Sequence, residues 1–164
     1  MTQEIEVGIG KTARLCYSLY GISVVPSRRT RDPEDVDTSW QIDAYSFDIP
    51  VIGAPMDSIM SPGTVIEIGK LGGLGVLDLE GLWTRYDDPA PLLDRIPDIP
   101  QDEITPYLQK IYSEPVKAEL ITRRLHDIRD AGVTVAGSLT PQRILEFYST
   151  VLDAGVDLFV IRGS

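Results

Sequence analysis

The sequence predicts an α/β fold in which parallel strands alternate with helices. A first observation is the sequence Asp-Ala-Gly-Val, which occurs at residues 130–133 and again at residues 153–156. In each copy an amphipathic stretch precedes the glycine and an apolar run follows it, which is the order of a helix and then a buried strand. A second observation is that four apolar runs of strand length are spread along the chain. Strands joined by helices in this way form a parallel sheet.

The predicted strands cover residues 49–54, 74–77, 133–137 and 158–161. Each is apolar along almost its whole length, as expected for a strand that is buried on both faces. Their character therefore favours a sheet that is covered on both faces.

The first predicted helix begins at Ser61-Pro62 and ends at Gly72-Gly73. The second runs over residues 115–131, with Ser113 near its N-cap position, and the third has Thr140 as N-cap and Pro141 at the first helical position. Gly132 and Gly155 follow these two helices, where a residue without a Cβ readily adopts the left-handed conformation. Helical spacing predicts burial of Val116, Leu120, Ile121, Leu125 and Ile128 in the second helix and of Ile144, Leu145, Tyr148 and Leu152 in the third.

Two segments depart from this alternation. Residues 1–48 precede the first core strand, and the polar-apolar alternation at residues 40–45 predicts a half-exposed hairpin there. Residues 85–112, the Pro-rich segment, contain five prolines that interrupt any long helix: Pro89, Pro91, Pro97, Pro100 and Pro106. We interpret this segment as an insertion after the second strand, with one helical turn near residues 107–111.

Composition excludes several classes of protein. The chain has 164 residues, 43% of them hydrophobic, and a net charge of −10, whereas nucleic acids and anionic membranes require clustered cations. No apolar stretch reaches the roughly 18 residues of a membrane-spanning helix. A single cysteine, Cys16, excludes an internal disulfide framework and fits a reducing compartment. We therefore expect a cytoplasmic protein with no nucleic-acid or membrane partner.

Three polar or reactive features are interpreted as structural. Arg28, Arg29 and Arg31 could bind a phosphate, but an exposed turn neutralised by Asp32, Glu34 and Asp35 is favoured. Cys16 has no neighbouring base and is expected to be a small buried residue. His126 is expected on the solvated face of the second helix.

The candidate site is the segment of residues 53–58, with Pro-Met-Asp at residues 55–57. It follows the first predicted strand directly, and in parallel barrels the carboxyl ends of the strands build the active site. Met56 offers a polarizable surface for a flat ring. From the residues alone, a plain turn with Met56 packed inside is equally favoured.

Residues 49–58, followed by Leu-Gly-Gly-Leu-Gly-Val at residues 71–76, resemble the inosine monophosphate dehydrogenase/GMP reductase family. In that family a Pro-Met-Asp turn after the first barrel strand is followed by a Gly-Gly-x-Gly second strand. Residues 17–26, which end in Val-Pro, are similar to the family's N-terminal segment, and residues 153–157 with their strand resemble the fourth unit. The resemblance implies the N-terminal half of a (β/α)8 TIM barrel. Residues 1–48 would then be an N-terminal hairpin extension and residues 49–164 the first four βα units, interrupted by the Pro-rich segment.

The resemblance also implies a chemistry. A cysteine attacks C2 of a purine mononucleotide, and hydride passes between that carbon and the nicotinamide of NADPH or NAD; the family's nucleophilic cysteine lies beyond Ser164. Met56 would support the base, with Ala54 and Asp57 nearby. The cofactor would lie near the ends of the second and fourth strands, at Asp78, Arg162 and Gly163. No metal site is expected here, although the rest of the barrel could bind a monovalent cation, and family members form homotetramers.

Two departures from the family pattern bear on the reaction. Family dehydrogenases follow the second strand with histidines and an asparagine, where this sequence has Asp-Leu-Glu-Gly at residues 78–81. They end the fourth strand with an acid, where this sequence has Arg162. An arginine suits the 2′-phosphate of NADPH, and a salt bridge to a neighbouring acid is the equally weighted alternative. The pattern slightly favours GMP reduction over IMP oxidation, with a non-catalytic nucleotide-binding homologue or a small α/β binding module as further alternatives.

We expect that residues 1–164 alone do not fold as a stable monomer, because four parallel strands leave two sheet edges unpaired. Chemical denaturation and sedimentation of the purified 164-residue chain test this expectation. A sharp, reversible unfolding transition from a monodisperse monomer would contradict it and would favour the small binding module.

Overall fold

The computed structural model describes residues 4–23, 25 and 32–163. The chain divides into two compact units, Met1–Asp37 and Thr38–Ser164. In the first unit, β1 (Glu4–Gly8) pairs antiparallel with β2 (Lys11–Arg14), and Gly10 turns the chain between them with φ of 69°. The predicted arginine cluster, Arg28, Arg29 and Arg31, lies outside the described residues.

Cys16 is exposed, so the prediction of a buried cysteine is wrong. It lies just beyond β2, and both strands of this hairpin are themselves exposed along their whole length. The described part of the first unit therefore provides no core into which the thiol could pack.

The second unit begins with a hairpin of β3 (Trp40–Ile42) and β4 (Tyr45–Phe47), which confirms the hairpin predicted at residues 40–45. Asp43 makes the turn with φ of 50°, and the rings of Trp40 and Phe47 stack with their centroids 4.8 Å apart. Buried Phe47 clusters with side chains of the parallel strands, namely Leu74, Val76 and Ala136. The hairpin thus covers one face of the sheet.

The parallel strands are β5 (Ile52–Gly53), β6 (Leu74–Gly75), β7 (Leu77–Asp78), β8 (Ala136–Leu139) and β9 (Leu158–Ile161). β5 pairs with β6, β7 with β8, and β8 with β9, all in parallel. β6 and β7 belong to one predicted strand and are separated only by Val76. The four predicted strands therefore lie side by side in chain order, as in part of a barrel, and the described residues form open sheets rather than a closed barrel.

β8 begins at Ala136, later than the predicted start at residue 133. Val133 packs instead against Gly69, where an added Cβ would lie 2.7 Å from the Val133 Cβ. The amide of Val135 donates to the Asp157 carboxylate (2.8 Å) and not to a strand. β8 therefore begins after these residues, although the Val135 carbonyl still accepts from the amide of Leu158, the first residue of β9 (3.1 Å).

Five helices accompany the strands: α1 (Pro62–Lys70), α2 (Ala90–Asp94), α3 (Ile104–Tyr112), α4 (Ala118–Asp130) and α5 (Pro141–Asp153). The predicted start of α1 is confirmed, because Ser61 Oγ accepts a hydrogen bond from the Thr64 amide (3.0 Å). The glycine ends are confirmed too, with φ of 85° at Gly72, 77° at Gly132 and 74° at Gly155. None of the helices in the described part of the chain is long and apolar enough to cross a membrane.

α4 begins at Ala118, after the predicted start at residue 115, and Ser113 caps the end of α3 instead of the start of α4. Lys117 has extended φ and ψ of −109° and 119°, and its amide donates to the Thr84 carbonyl (2.9 Å). That hydrogen bond holds the chain in an extended conformation up to Lys117. The predicted core face of α4 is confirmed for four residues, Leu120, Ile121, Leu125 and Ile128.

The predicted core face of α5 is wrong for three of its four residues. Phe147 and Val151 are buried, whereas Leu145 is 87% exposed and Tyr148 and Leu152 are exposed as well. Residues 144, 147 and 151 and residues 145, 148 and 152 both have helical spacing, so periodicity does not distinguish the two faces. The purely apolar ring of Phe147 packs inward, and of the predicted set only Ile144 packs against the core.

The Pro-rich segment is more helical than predicted. It contains α2, a single 3-10 turn at Ile96–Asp98 and the nine-residue α3. Pro106 lies in the first turn of α3, where the backbone N–H has no partner within the helix and its loss costs nothing. A proline there is therefore compatible with a longer helix than the single turn expected.

We predict that Gly75→Ala destabilises the protein by about 1–3 kcal/mol, because overpacking where helix and strand backbones meet forces them apart. A Cβ on Gly75 would lie 2.6 Å from Val65 Cα in α1. Gly63→Ala is the matched control, since its Cβ would contact only Ser61 Oγ at 3.6 Å. Thermal denaturation of the whole protein measures both, and equal melting temperatures for the two variants would contradict the close-approach argument.

Candidate functional site

A pocket of about 690 Å³ lies at the carboxyl ends of the parallel strands, within the second unit. Ligand pockets of small molecules and cofactors have volumes of this order. One side is formed by residues that follow the strands: Pro55, Met56, Asp57, Ser58, Asp78 and Arg162. Four of the six predicted site residues, Met56, Asp57, Asp78 and Arg162, are thus brought together.

The turn after β5 exposes Met56 to this pocket. Its amide donates to the Ala54 carbonyl (2.9 Å), and its carbonyl accepts from the amide of Met60 (2.8 Å). Met60 is buried under the turn, where its thioether group fills the space that a Cβ on Gly53 would need. Met56 itself is 47% exposed, so it is not packed inside.

Arg162 joins the ends of three strand segments. Its Nη1 donates to the Pro55 carbonyl (2.8 Å) and to Asp78 Oδ2 (2.9 Å), and its Nη2 donates to Asp78 Oδ1 (3.4 Å). The Asp78 side chain is 12% exposed and that of Arg162 33% exposed, so the ion pair is shielded from water. The salt bridge that the sequence offered as one alternative for Arg162 is therefore present, and its acid is Asp78.

Asp57 is held by two donors. Its Oδ2 accepts from the Leu82 amide (2.7 Å) and from the Tyr112 hydroxyl (2.6 Å). Its Oδ1 is buried and has no hydrogen-bond partner within residues 4–23, 25 and 32–163. Burial raises the pKa of the Asp57 carboxyl, and the hydrogen bonds from Tyr112 and Leu82 offset only part of that increase. Gly81 is required beside this carboxylate, because any Cβ at that position would collide with Oδ1.

The opposite side of the pocket comes from the Pro-rich segment. It consists of Leu93, Ile96, Pro97, Leu108 and Tyr112. None of these was predicted as a site residue, because the prolines pointed to an irregular insertion. The spacing of Leu108 and Tyr112, four residues apart on one face of α3, was the available signal.

Hydrogen bonds fix the Pro-rich segment to the rest of the second unit. Arg124 of α4 donates to the Asp87 carbonyl (2.5 Å), and Arg85 donates to the Glu80 carbonyl (3.0 Å). Within the segment, the Tyr107 hydroxyl donates to the Leu92 carbonyl (2.9 Å). The apolar side of the pocket is thus held in place by contacts outside the pocket.

The remaining residues considered in the sequence analysis do not line the pocket. Ala54 and Gly163 are exposed and do not line the pocket, so their predicted roles stay predictions. His126 is exposed on α4, which confirms its expected place on a solvated helix face. In the described part of the chain, no group of three His, Cys, Asp or Glu side chains could hold a metal ion.

Similar proteins cover nearly all of this chain. An IMP dehydrogenase/GMP reductase-like protein from Corynebacterium glutamicum has a crystal structure that matches with a TM-score of 0.80 and 46% sequence identity, over 98% of this chain and 44% of that one. An uncharacterized oxidoreductase of Mycobacterium tuberculosis is 44% identical over 98% of this chain and 44% of its own length. The chain therefore spans less than half of the relatives it matches.

A shorter match links the chain to a protein named for its reaction. An inosine-5′-monophosphate dehydrogenase of Methanocaldococcus jannaschii is 31% identical over 65 residues, which is 40% of this chain and 13% of that protein. No family model matches the chain. The resemblance to the IMP dehydrogenase/GMP reductase family, predicted from the Pro-Met-Asp turn and its neighbouring strands, is confirmed by this similarity in sequence and structure along nearly the whole chain.

Proposed function

We propose that the whole protein is a purine-nucleotide oxidoreductase that transfers hydride between C2 of a purine mononucleotide and a nicotinamide. The observation that supports this most directly is the half-exposed Met56 on a pocket at the strand ends, where a parallel barrel places its active site. The relatives named as oxidoreductases support the same reaction class.

In this proposal Met56 supports the purine base. Its thioether presents a polarizable surface to one face of the ring. Ala54 and Asp57 lie beside it in the chain, and Ala54 holds the turn by accepting the Met56 amide hydrogen bond. The nucleophilic cysteine that activates C2 belongs to the part of the protein beyond residue 164.

The polar residues at the strand ends fit a nicotinamide nucleoside. Asp78 accepts three hydrogen bonds, one from the Glu80 amide and two from Arg162. An ionised carboxylate has about four acceptor positions, which leaves one for a ribose hydroxyl or the carboxamide of the cofactor. When bound, the nicotinamide supplies or accepts the hydride. Arg162 and the exposed Gly163 would border the same ligand.

We favour the GMP reductase direction, in which GMP, NADPH and two protons give IMP, NADP⁺ and ammonium. The support comes from Asp78, Leu79 and Glu80 in place of the family's histidine-containing stretch. The 2′-phosphate of NADPH is on its adenosine ribose, away from the nicotinamide, so Arg162 would favour NADPH only where the adenosine end of the cofactor reaches the same strand end. Because its guanidinium already binds Asp78 and the Pro55 carbonyl, any phosphate contact would have to use its remaining N–H groups.

Three further properties are proposed. A homotetrameric assembly and a monovalent cation bound by the rest of the barrel follow from the family resemblance, and a cytoplasmic location follows from the composition and the single cysteine. None of them depends on the pocket described above.

We predict that Met56→Ala in the whole protein weakens purine-nucleotide binding by about 1–3 kcal/mol, the scale for losing the contacts of one apolar side chain. Met60→Ala is the matched control, because Met60 is 2% exposed and packs beneath the same turn. It should cost about 2–5 kcal/mol of stability. Calorimetric titration and thermal denaturation separate the two effects. Unchanged affinity in Met56→Ala together with a large fall in melting temperature would contradict the role in base binding.

We predict that the whole protein consumes NADPH only when GMP is present. The purified protein is incubated with GMP and NADPH, and separately with IMP and NAD, while the absorbance of the reduced nicotinamide is followed. Appearance of NADH with IMP would reverse the proposed direction. Inactivity with both pairs, combined with tight nucleotide binding, would favour a non-catalytic nucleotide-binding homologue.

A further inference from the structure

The Pro-rich segment contributes side chains of a different kind from those at the strand ends. Apart from Tyr112, its pocket residues are purely apolar: Leu93, Ile96, Pro97 and Leu108. The strand ends contribute the charged groups of Asp57, Asp78 and Arg162. A flat, uncharged ring system such as a purine base or the reduced nicotinamide would be confined between these two sides and shielded from water.

One hydrogen bond connects the apolar side directly to the Pro-Met-Asp turn. The Tyr112 hydroxyl, at the end of α3, donates to Asp57 Oδ2 at 2.6 Å. The same oxygen accepts from the Leu82 amide at 2.7 Å, so Asp57 is fixed from two directions. A hydrogen bond to a charged acceptor is stronger than one between neutral groups.

We propose that the Pro-rich segment forms a ligand-selecting side of the nucleotide pocket, and that Tyr112 is a positioning residue that holds the Met56–Asp57 turn against it. This proposal rests on the proposed function, since it names which element of the same pocket determines affinity for the ring. Tyr112 acts through Asp57, and the residue that contacts the base remains Met56.

The position of Met56 follows from this arrangement. Met56 precedes Asp57 directly, and its backbone is held by Ala54 and Met60. If the Tyr112 hydroxyl is removed, Asp57 retains one donor, the Leu82 amide, on a buried carboxylate whose Oδ1 has no partner in the described part of the chain. Such a carboxylate is less well held, and the methionine beside it becomes free to shift relative to the apolar side.

The hydrogen bond from Tyr112 also affects the pKa of the Asp57 carboxyl group. The groups that act on Asp57 are Tyr112 and Leu82, which lower its pKa by donating to it, Asp78, which raises the pKa, and Arg85, which lowers it. Arg162 is paired with Asp78 and so offsets that negative charge. Loss of the Tyr112 hydroxyl should therefore raise the pKa of Asp57 further. With a higher pKa, the Asp57 carboxyl group becomes protonated at a higher pH. Because the neutral group accepts weaker hydrogen bonds and holds the turn less firmly, nucleotide affinity should begin to fall at a higher pH as the solution is acidified.

The test compares Tyr112→Phe with Tyr107→Phe in the whole protein. Both variants remove one hydroxyl from α3, but the Tyr107 hydroxyl donates to the Leu92 carbonyl inside the Pro-rich segment and Tyr107 does not line this pocket. GMP and IMP are titrated calorimetrically over a range of pH. Tyr112→Phe should bind about three- to tenfold more weakly, the fold-change of one hydrogen bond. Its loss of affinity on acidification should begin at higher pH, while Tyr107→Phe should match the parent protein.

Leu108→Ala provides a second variant that removes apolar surface and leaves the Tyr112 hydrogen bond intact. It should also weaken GMP binding, without the shift in pH dependence. Equal affinities and pH profiles for Tyr112→Phe and Tyr107→Phe would overturn the positioning role, even if Met56→Ala still weakens binding and the proposed function stands. If neither GMP nor IMP binds the parent protein, the proposed function fails and this inference fails with it.

Discussion

The ion pair between Arg162 and Asp78 is the interaction on which the site depends. Arg162 follows β9, Asp78 ends β7, and the same guanidinium also donates to the Pro55 carbonyl after β5. One side chain thereby sets the spacing of three strand ends. Because Asp78 is mostly buried, removing Arg162 would leave a carboxylate with little solvation and no cation, a change that commonly costs several kcal/mol. The bridge also holds the Pro55 end of the Pro-Met-Asp turn at the edge of the pocket.

The bridge is effective because the sheet beneath it is closely packed. Gly75 lets α1 approach the strand backbone, and a Cβ on Gly137 would collide with Leu79. On one face of the sheet, α4 and α5 bury their apolar stripes, and on the other the β3–β4 hairpin packs Phe47 against Leu74 and Val76. Strands held from both faces have little freedom to shift in register, so the side chains at their ends meet at fixed distances.

The sequence predicted those features that depend on local chemistry. Glycines at 72, 132 and 155 end their segments because only glycine adopts positive φ without strain, and Ser61 starts α1 because its hydroxyl satisfies a free amide. The sequence did not predict the structure where two packing arrangements share the same local pattern of residues. Both possible faces of α5 have helical spacing, and only the packing of Phe147 and Val151 into the core shared with α4 determines which one is buried. The partners of Arg162 and Asp57 also escaped prediction, since Asp78 and Tyr112 lie far from them in the chain.

The charged side and the apolar side of the pocket differ in the amino-acid substitutions that they tolerate. The charged side is constrained, because Arg162 donates to both Asp78 and the Pro55 carbonyl, and a substitution of Arg162 or Asp78 leaves its polar partner without that hydrogen bond. The apolar side is less constrained, since leucine, isoleucine and proline side chains can be exchanged for others of similar volume at small cost. In the proposed nucleotide site, substitutions in the Pro-rich segment would therefore alter which ring the pocket accepts while the groups at the strand ends keep their geometry. Selectivity and chemistry would then be separated between two parts of the chain, connected at the pocket by the hydrogen bond from Tyr112 to Asp57.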